Sequence, residues 1–580
     1  MSQQLSIRDL AVIGDRRTAA VVDRNARIVW YCPGRFDYPS LFSSLLDEQK
    51  GGDWSIHLPG AEFHSRRYLE ESGALETSLQ GENGLFSVTD WMPMGVGQHG
   101  ICRSFSTAPA TVEIRVRARP NYGSMPAQPE QLDGNDGGID LGKGRILRGS
   151  HRLVQDASDV RMVLPEGDSG WMVLLDEPGA QIDSGVLQRW LSVTLSAWAE
   201  LATHITYHGP YEREVAQSLQ ALRLLTHADS GGVIAAITSS LPEVTGGSRN
   251  YDYRYVWLRD AGMVLSALLR AGSDASDALA FLAFLCKSVK EDERPPLPPF
   301  LSLGRDAAPA EQHLDLEGFA DSRPVRIGNG ARGQWQLDGF GNILLAAKLL
   351  YGGFDTREHW SIVEHLADFV ANSWKEPDNG IWEESKKEQY TIGKVVSARG
   401  LEFIAEFASD RAKAKRWRAE AARIRQFVAD NCLTSEGAYA AYAGSEAVDV
   451  SAVLIPIWDY APADSSEMRA TIAVLDRDYS DGTLYWRHLV DSNSREEGAF
   501  LAGTLWVAQL SVMLGDLTRA RQILDACLGY TNDLGLFAEE AEPSKGEMLG
   551  NLPQAFVHAA FIGAVVDYRN ALATRRGVTQ

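Results

Sequence analysis

The chain has 580 residues, with 56 Lys and Arg against 77 Asp and Glu, and its formal charge of −21 repels nucleic-acid backbones and anionic membrane surfaces. Hydrophobic residues at 44% and charged residues at 23% are globular proportions, and the length exceeds what one core usually serves, so two domains are expected. The five cysteines, odd in number and far apart, support neither a disulfide framework nor a zinc site, so a reducing cytoplasm is the expected setting. The start "MSQQLSIRDLAVIGDRR" lacks the basic and apolar blocks of a secretory signal, and no apolar run reaches the length of a membrane span.

From residue 1 to about 190 the chain reads as short alternating segments broken by Gly, Pro, Asn and Asp. "TAAVVDRNARIVWYC" is strand, polar turn, strand; "ATVEIRVRAR" and "WMVLLD" keep the period of two, and "NYGSMPAQPEQLDGNDGGIDLGKG" reads as a long surface loop. This pattern predicts an N-terminal antiparallel β-sandwich over residues 1–190. Apolar residues then recur at helical spacing, beginning with "VLQRWLSVTLSAWAELATHI", and a helical linker is expected over 191–208.

Roughly a dozen helices are expected over 209–580, as a closed barrel of six helical hairpins requires. "AFLAGTLWVAQLSVML", apolar on nearly every side, suits an inner helix. No signature repeats at fixed period, which disfavours an α-solenoid.

Three stretches between helices carry candidate chemistry. "DNGIWEESKKEQYT" sets Glu383 and Glu384 directly behind Trp382; in an extended loop adjacent side chains face opposite ways, so one glutamate is free for catalysis while the other points elsewhere. "SRNYDYRYVWLRDAG" gathers Tyr251, Tyr253, Tyr255 and Trp257 beside Arg259 and Asp260 at a helix start, where Asp260 is also a candidate cap. "LGLFAEEAEPSKGEMLGNLPQAF" holds Glu539 and Glu540 in a glycine-bounded loop. Taken singly, the first and third are more simply solvated acidic loops and the second a capped helix with an aromatic anchor; gathered at one rim, their carboxyls and aromatics have the composition of a sugar site. Glycoside hydrolysis uses one carboxyl that stays protonated for the leaving oxygen and a second carboxylate that activates water or attacks carbon.

These stretches, with "LAVIGDRRTAAVVDRNARIVWYC", "RIGNGARGQWQLDGFG" and "EEGAF", occur in an order and spacing by which the chain resembles glycoside hydrolase family 15, the glucoamylase, glucodextranase and trehalase group, in its bacterial form with a trehalase-like N-terminal domain. The resemblance implies an (α/α)6 barrel behind a β-sandwich, no cofactor or metal, and inverting hydrolysis of α-linked glucose from the nonreducing end of an oligosaccharide or disaccharide. By motif, Glu383 is similar to the family's general acid and Glu539 to its general base. Arg259 and Asp260 correspond to the pair gripping the terminal glucose, with Tyr253, Trp257 and Trp382 as walls and Glu384 and Arg487 as further sugar contacts.

The chain departs from the family pattern at Arg332 and Asn342 and in the segment after Glu384, all expected beside the leaving sugar. A glucoamylase-like action on α-glucans is therefore the first expectation and α,α-trehalose the alternative. A non-catalytic sugar-binding protein and a phosphorylase on the same scaffold are the readings of another class; both glutamates argue against the first and Glu539 against the second.

Overall fold

The computed structural model describes residues 5–132, 138–176, 181–204, 207–289, 295–487 and 497–575. The chain divides into two compact units, one comprising residues 1–204 with 313–325 and 532–536, the other residues 205–312, 326–531 and 537–580.

In the first unit the period-two stretches form two antiparallel sheets, of seven and eight strands. Ala19–Val22 pairs with Ile28–Tyr31 across a short turn, and Ala11–Gly14 adds on its other side. Along Val112–Arg117 every second residue is buried, as one inward face demands. Arg103 is buried with them and fully engaged: Nε and Nη2 lie 2.7 and 3.0 Å from the two oxygens of Asp90, Nη1 is 3.1 Å from the Trp54 carbonyl, and Nη2 also reaches the Ala26 carbonyl. Removed from water, the guanidinium is tolerated because its donors are met.

The segment expected as one long surface loop instead contributes two-residue strands at Glu130–Gln131 and Ile139–Asp140, which extend the eight-stranded sheet by backbone pairing that composition does not encode; residues 133–137 of that loop lie outside the described residues. Helix α1 (Ser184–Thr203) starts on Asp183, whose Oδ1 accepts the Val186 amide at 2.7 Å, and buries Leu187 and Trp198.

The second unit is helical: α2 (Glu212–Leu225), α3 (Leu258–Arg270), α4 (Ser276–Ser288), α5 (Asp338–Gly353), α6 (Trp360–Ser373), α7 (Thr391–Ile404), α8 (Arg411–Asn431), α9 (Leu454–Ile457), α10 (Ser466–Asp478), α11 (Leu501–Met513), α12 (Leu517–Leu528) and α13 (Ala555–Arg575). Packing among them is cyclic. α3 lies on α5, α5 on α7, α7 on α9 and the turn of 3-10 helix before it, these on α11, α11 on α13, and α13 back on α3. The other helices pack outside this ring, α2 on α13, α8 on α7 and α12 on α11.

The ring explains the sequence pattern. Every residue of α11 from Leu501 to Val512 is buried, because neighbours surround it. Gly262 in α3 marks a close crossing: a Cβ there would stand 2.8 Å from the Asn342 backbone of α5. Among the described residues no helix is long and apolar enough to cross a membrane.

Candidate active site

The N-terminal ends of α3 and α13 and the loops bearing Tyr253, Glu383, Arg487 and Glu539 border a narrow cavity. Its walls include Tyr253, Trp257, Arg259, Asp260, Trp382, Glu383, Arg487 and Glu539, eight residues singled out in the sequence, together with Ala235, Gln554 and Phe556.

Arg259 and Asp260 are the second and third residues of α3. Asp260 does not cap the helix, whose N-cap position is Trp257; its Oδ1 instead lies 2.6 Å from Arg259 Nε. Arg259 Nη1 reaches across to Glu383 Oε1 at 2.8 Å and also bonds the Ile381 carbonyl. The guanidinium therefore ties the start of α3 to the loop bearing Glu383.

That loop is a tight turn, which corrects the expectation of an extended segment. Glu383 adopts φ +57°, a left-handed conformation costly for a side chain with a Cβ and frequent at functional sites. The turn closes because Gln334 Nε2 bonds the carbonyls of Glu383 (2.8 Å) and Glu384 (3.4 Å), while Asn379 Nδ2 also holds the Glu384 carbonyl at 2.8 Å. Glu383 thus enters the cavity wall and Glu384 stays outside it. Enclosure pushes the half-buried Glu383 carboxyl above the ordinary carboxylate range, with Arg259 pulling it back.

Glu540–Glu542 forms a short sheet with Ala499–Phe500 and Glu547–Leu549, and Glu539 sits at the bend that leads into it. Gly550 passes so close that a Cβ on it would meet the Glu539 Cβ at 2.8 Å, and its φ of +80° also suits glycine. Glu539 Oε1 accepts the Tyr253 hydroxyl at 3.2 Å, whereas Oε2 is buried with no hydrogen-bond partner among the described residues.

Behind Glu539 lies a network that the sequence did not disclose. Arg487 Nη2 stands 2.8 Å from Glu540, 3.0 Å from Glu497 and 3.1 Å from Glu243, and Arg249 adds contacts of 2.7 Å to Glu243 and 2.8 Å to Glu497. The three carboxylates cluster as they would around a metal ion, but the Arg487 guanidinium occupies their centre. Four glutamates share two arginines, so burial and the charges of Glu243 and Glu497 push the Glu539 carboxyl up, against the pull of Arg487 and Tyr253. Replacing Arg487 by Met is expected to destabilise the protein by about 3–5 kcal/mol, since it strands buried carboxylates; a thermal unfolding midpoint equal to that of the parent would show the network to be dispensable.

Two further residues line other cavities. Arg332 lines one with Phe300, Arg305 and Gln334, the residue that also holds the Glu383 turn. Asn342 is buried in α5, where its Nδ2 bonds the Asp338 carbonyl at 3.0 Å, and it lines a third cavity. Gln554, in "NLPQAF", was not among the expected site residues; its Nε2, buried and without a hydrogen-bond partner among the described residues, is an unspent donor in the cavity wall.

Two carboxyls from separate loops, an arginine and an aspartate at a helix start, and aromatic walls define a carbohydrate-cleaving class, and the chain belongs to glycosyl hydrolase family 15, which it matches over residues 209–517 and 511–566. It is a glycoside hydrolase, and residues 2–140 match the trehalase-like N-terminal family. Among its relatives are a trehalase of Mycobacterium tuberculosis, 29% identical with 97% of this chain and 89% of that one aligned, and a trehalase of Thermoplasma volcanium, 30% identical with 97% and 93% aligned. The solved structure of a bacterial glucoamylase complexed with acarbose shares the fold, with a TM-score of 0.72 over 99% of this chain and 96% of that one at 13% identity.

Proposed function

We propose that the first unit is a β-sandwich and the helical ring an (α/α)6 barrel, and that the protein hydrolyses α,α-trehalose with inversion, Glu383 acting as general acid and Glu539 as general base. The observation that carries the reaction is the pairing of Glu383 and Glu539 in the walls of one narrow cavity. Burial raises both carboxyls, Glu539 to about 8, so the motifs assign the two roles; for Glu383 the direction is the one a proton donor to the glycosidic oxygen needs. Glu539, steadied through one oxygen by Tyr253, has the other available to take a proton from the attacking water. Arg259 and Asp260, locked to each other, suit the hydroxyls of the sugar being cleaved.

The relatives reverse the order of substrates that the sequence suggested. Trehalases align with this chain over nearly all its length, whereas the glucoamylase likeness is one of fold. Glucose release compared across trehalose, maltose, isomaltose and a soluble glucan is expected to give the highest kcat/KM for trehalose. Faster cleavage of maltose or glucan would instead establish the glucoamylase reading, and a requirement for phosphate as co-substrate a phosphorylase.

The electrostatics make a second test. Glu243 is the foremost charge raising Glu539, so Glu243→Gln is expected to lower the Glu539 pKa. The base works ionised; the acidic limb of the kcat/KM profile, which reports the free enzyme, therefore moves to lower pH. An unmoved limb, or one displaced upward, contradicts Glu539 as the base.

A further inference from the structure

The helical unit contains a cavity of about 340 Å3 distinct from the catalytic one, within the range of small-molecule sites. Its inner end abuts the catalytic cavity: Phe556 lines both, and Trp506 in its wall stacks on Trp382 with ring centres 6.3 Å apart. Its mouth lies at the opposite ends of the ring helices, where Arg270, Lys348, Phe403 and Trp458 are half-buried and Asp459 is exposed.

The two ends differ chemically. The interior is mainly aliphatic and aromatic, with Met263, Leu345, Leu454 and Phe556 among its surfaces. Its polar side chains Ser266, Asn342 and Gln509 already donate to Gly262, Asp338 and Asp567, so a sugar, hydroxylated around its whole rim, would give up more hydrogen bonds to water than it regains there. At the mouth, Asp459 is engaged by Arg399 at 2.6 Å and Arg270 binds Asp567. Lys348 makes no ion pair among the described residues; its ammonium lies 4.9 Å from the centre of the Phe403 ring. In a chain of formal charge −21, the unbalanced charge at this mouth is positive.

We propose that this cavity is a binding site for a small amphipathic anion, with an aromatic or aliphatic body inside and one carboxylate or sulfonate at the mouth against Lys348. Apolar burial supplies the attraction and the ammonium sets the orientation and the preference for an anion. The proposal is independent of which α-glucoside the enzyme cleaves.

The probe is 8-anilinonaphthalene-1-sulfonate, titrated by fluorescence against the folded full-length chain, with octanoate and 1-octanol as competitors. One saturable site is expected, displaced by octanoate at about one tenth the concentration that 1-octanol needs. Lys348→Glu is expected to weaken the probe about tenfold or more, leaving trehalose hydrolysis without probe unchanged, while Lys348→Arg binds nearly as the parent does. Gly563 on α13 provides a second variant. A Cβ there would stand 3.6 Å from Gln509 and 3.8 Å from Arg270, ordinary contacts, so Gly563→Ala folds and Gly563→Leu fills the space and abolishes binding. Absence of saturable binding, or binding that survives Lys348→Glu unchanged, overturns the site whether or not the leucine variant folds. Equal displacement by octanol overturns its preference for an anion.

Discussion

Glu383→Gln is expected to keep the fold and much of the affinity for sugar while lowering turnover of an unactivated disaccharide about 10²- to 10⁴-fold. The amide occupies the same volume in the same left-handed turn, and its oxygen still accepts the Arg259 bond that Glu383 Oε1 accepts at 2.8 Å. What it lacks is the proton. In water a carboxyl would be ionised at neutral pH; here enclosure raises its pKa, so the acid form persists to higher pH, and Arg259 limits the rise. The loss should shrink on an aryl glucoside, whose leaving group departs without protonation. Near-normal kcat for the variant on trehalose would reduce Glu383 to a charge on a loop.

Stereochemistry tests both glutamates together. A base that activates water on the face opposite the acid needs a carboxyl separation of about 6.5–9.5 Å, whereas a nucleophile needs about 5–5.5 Å and passes through a covalent glycosyl-enzyme. For trehalose the two routes give different first products, because both anomeric carbons begin as α. Inversion at the attacked carbon yields β-glucose from that ring and α-glucose from the leaving ring, in equal amounts; retention yields α-glucose from both. Proton NMR in the first minutes, before mutarotation, is expected to show the equal mixture, and α-glucose alone would remove the base role from Glu539. Glu539→Ala should lose about 10²- to 10⁴-fold in turnover, since the water is no longer deprotonated. Azide, small enough for the vacated space and already anionic, is expected to restore part of the rate on an activated α-glucoside.

Much of the architecture was legible because its signals are local. A period of two in "ATVEIRVRAR" marks a strand with one buried face, and uniform apolarity in "AFLAGTLWVAQLSVML" marks a helix surrounded on all sides, here α11. The candidate glutamates were legible through a series of motifs in order, each weak alone.

Other features were hidden because they depend on atoms far apart in sequence. The Glu383 turn is held by Gln334, 49 positions earlier, so no local pattern around "GIWEE" revealed the positive φ. Asn342 and Arg332 fell near catalytic motifs in the chain but face other cavities, because proximity along a helix or loop does not say which way a side chain points.

By itself, the sequence of this protein determined a strand-rich region followed by a helical one, the positions of the acidic loops, and a net charge of −21 that repels phosphate backbones. Only the tertiary structure decided that Arg487 meets Glu243, 244 residues away, that Tyr253 meets Glu539, 286 away, and that the buried Glu539 carboxyl consequently titrates high. Periodicity and turn chemistry act over a few residues and can be read in order, whereas desolvation and Coulomb coupling follow distance in space, which exists only after the ring of helices has closed.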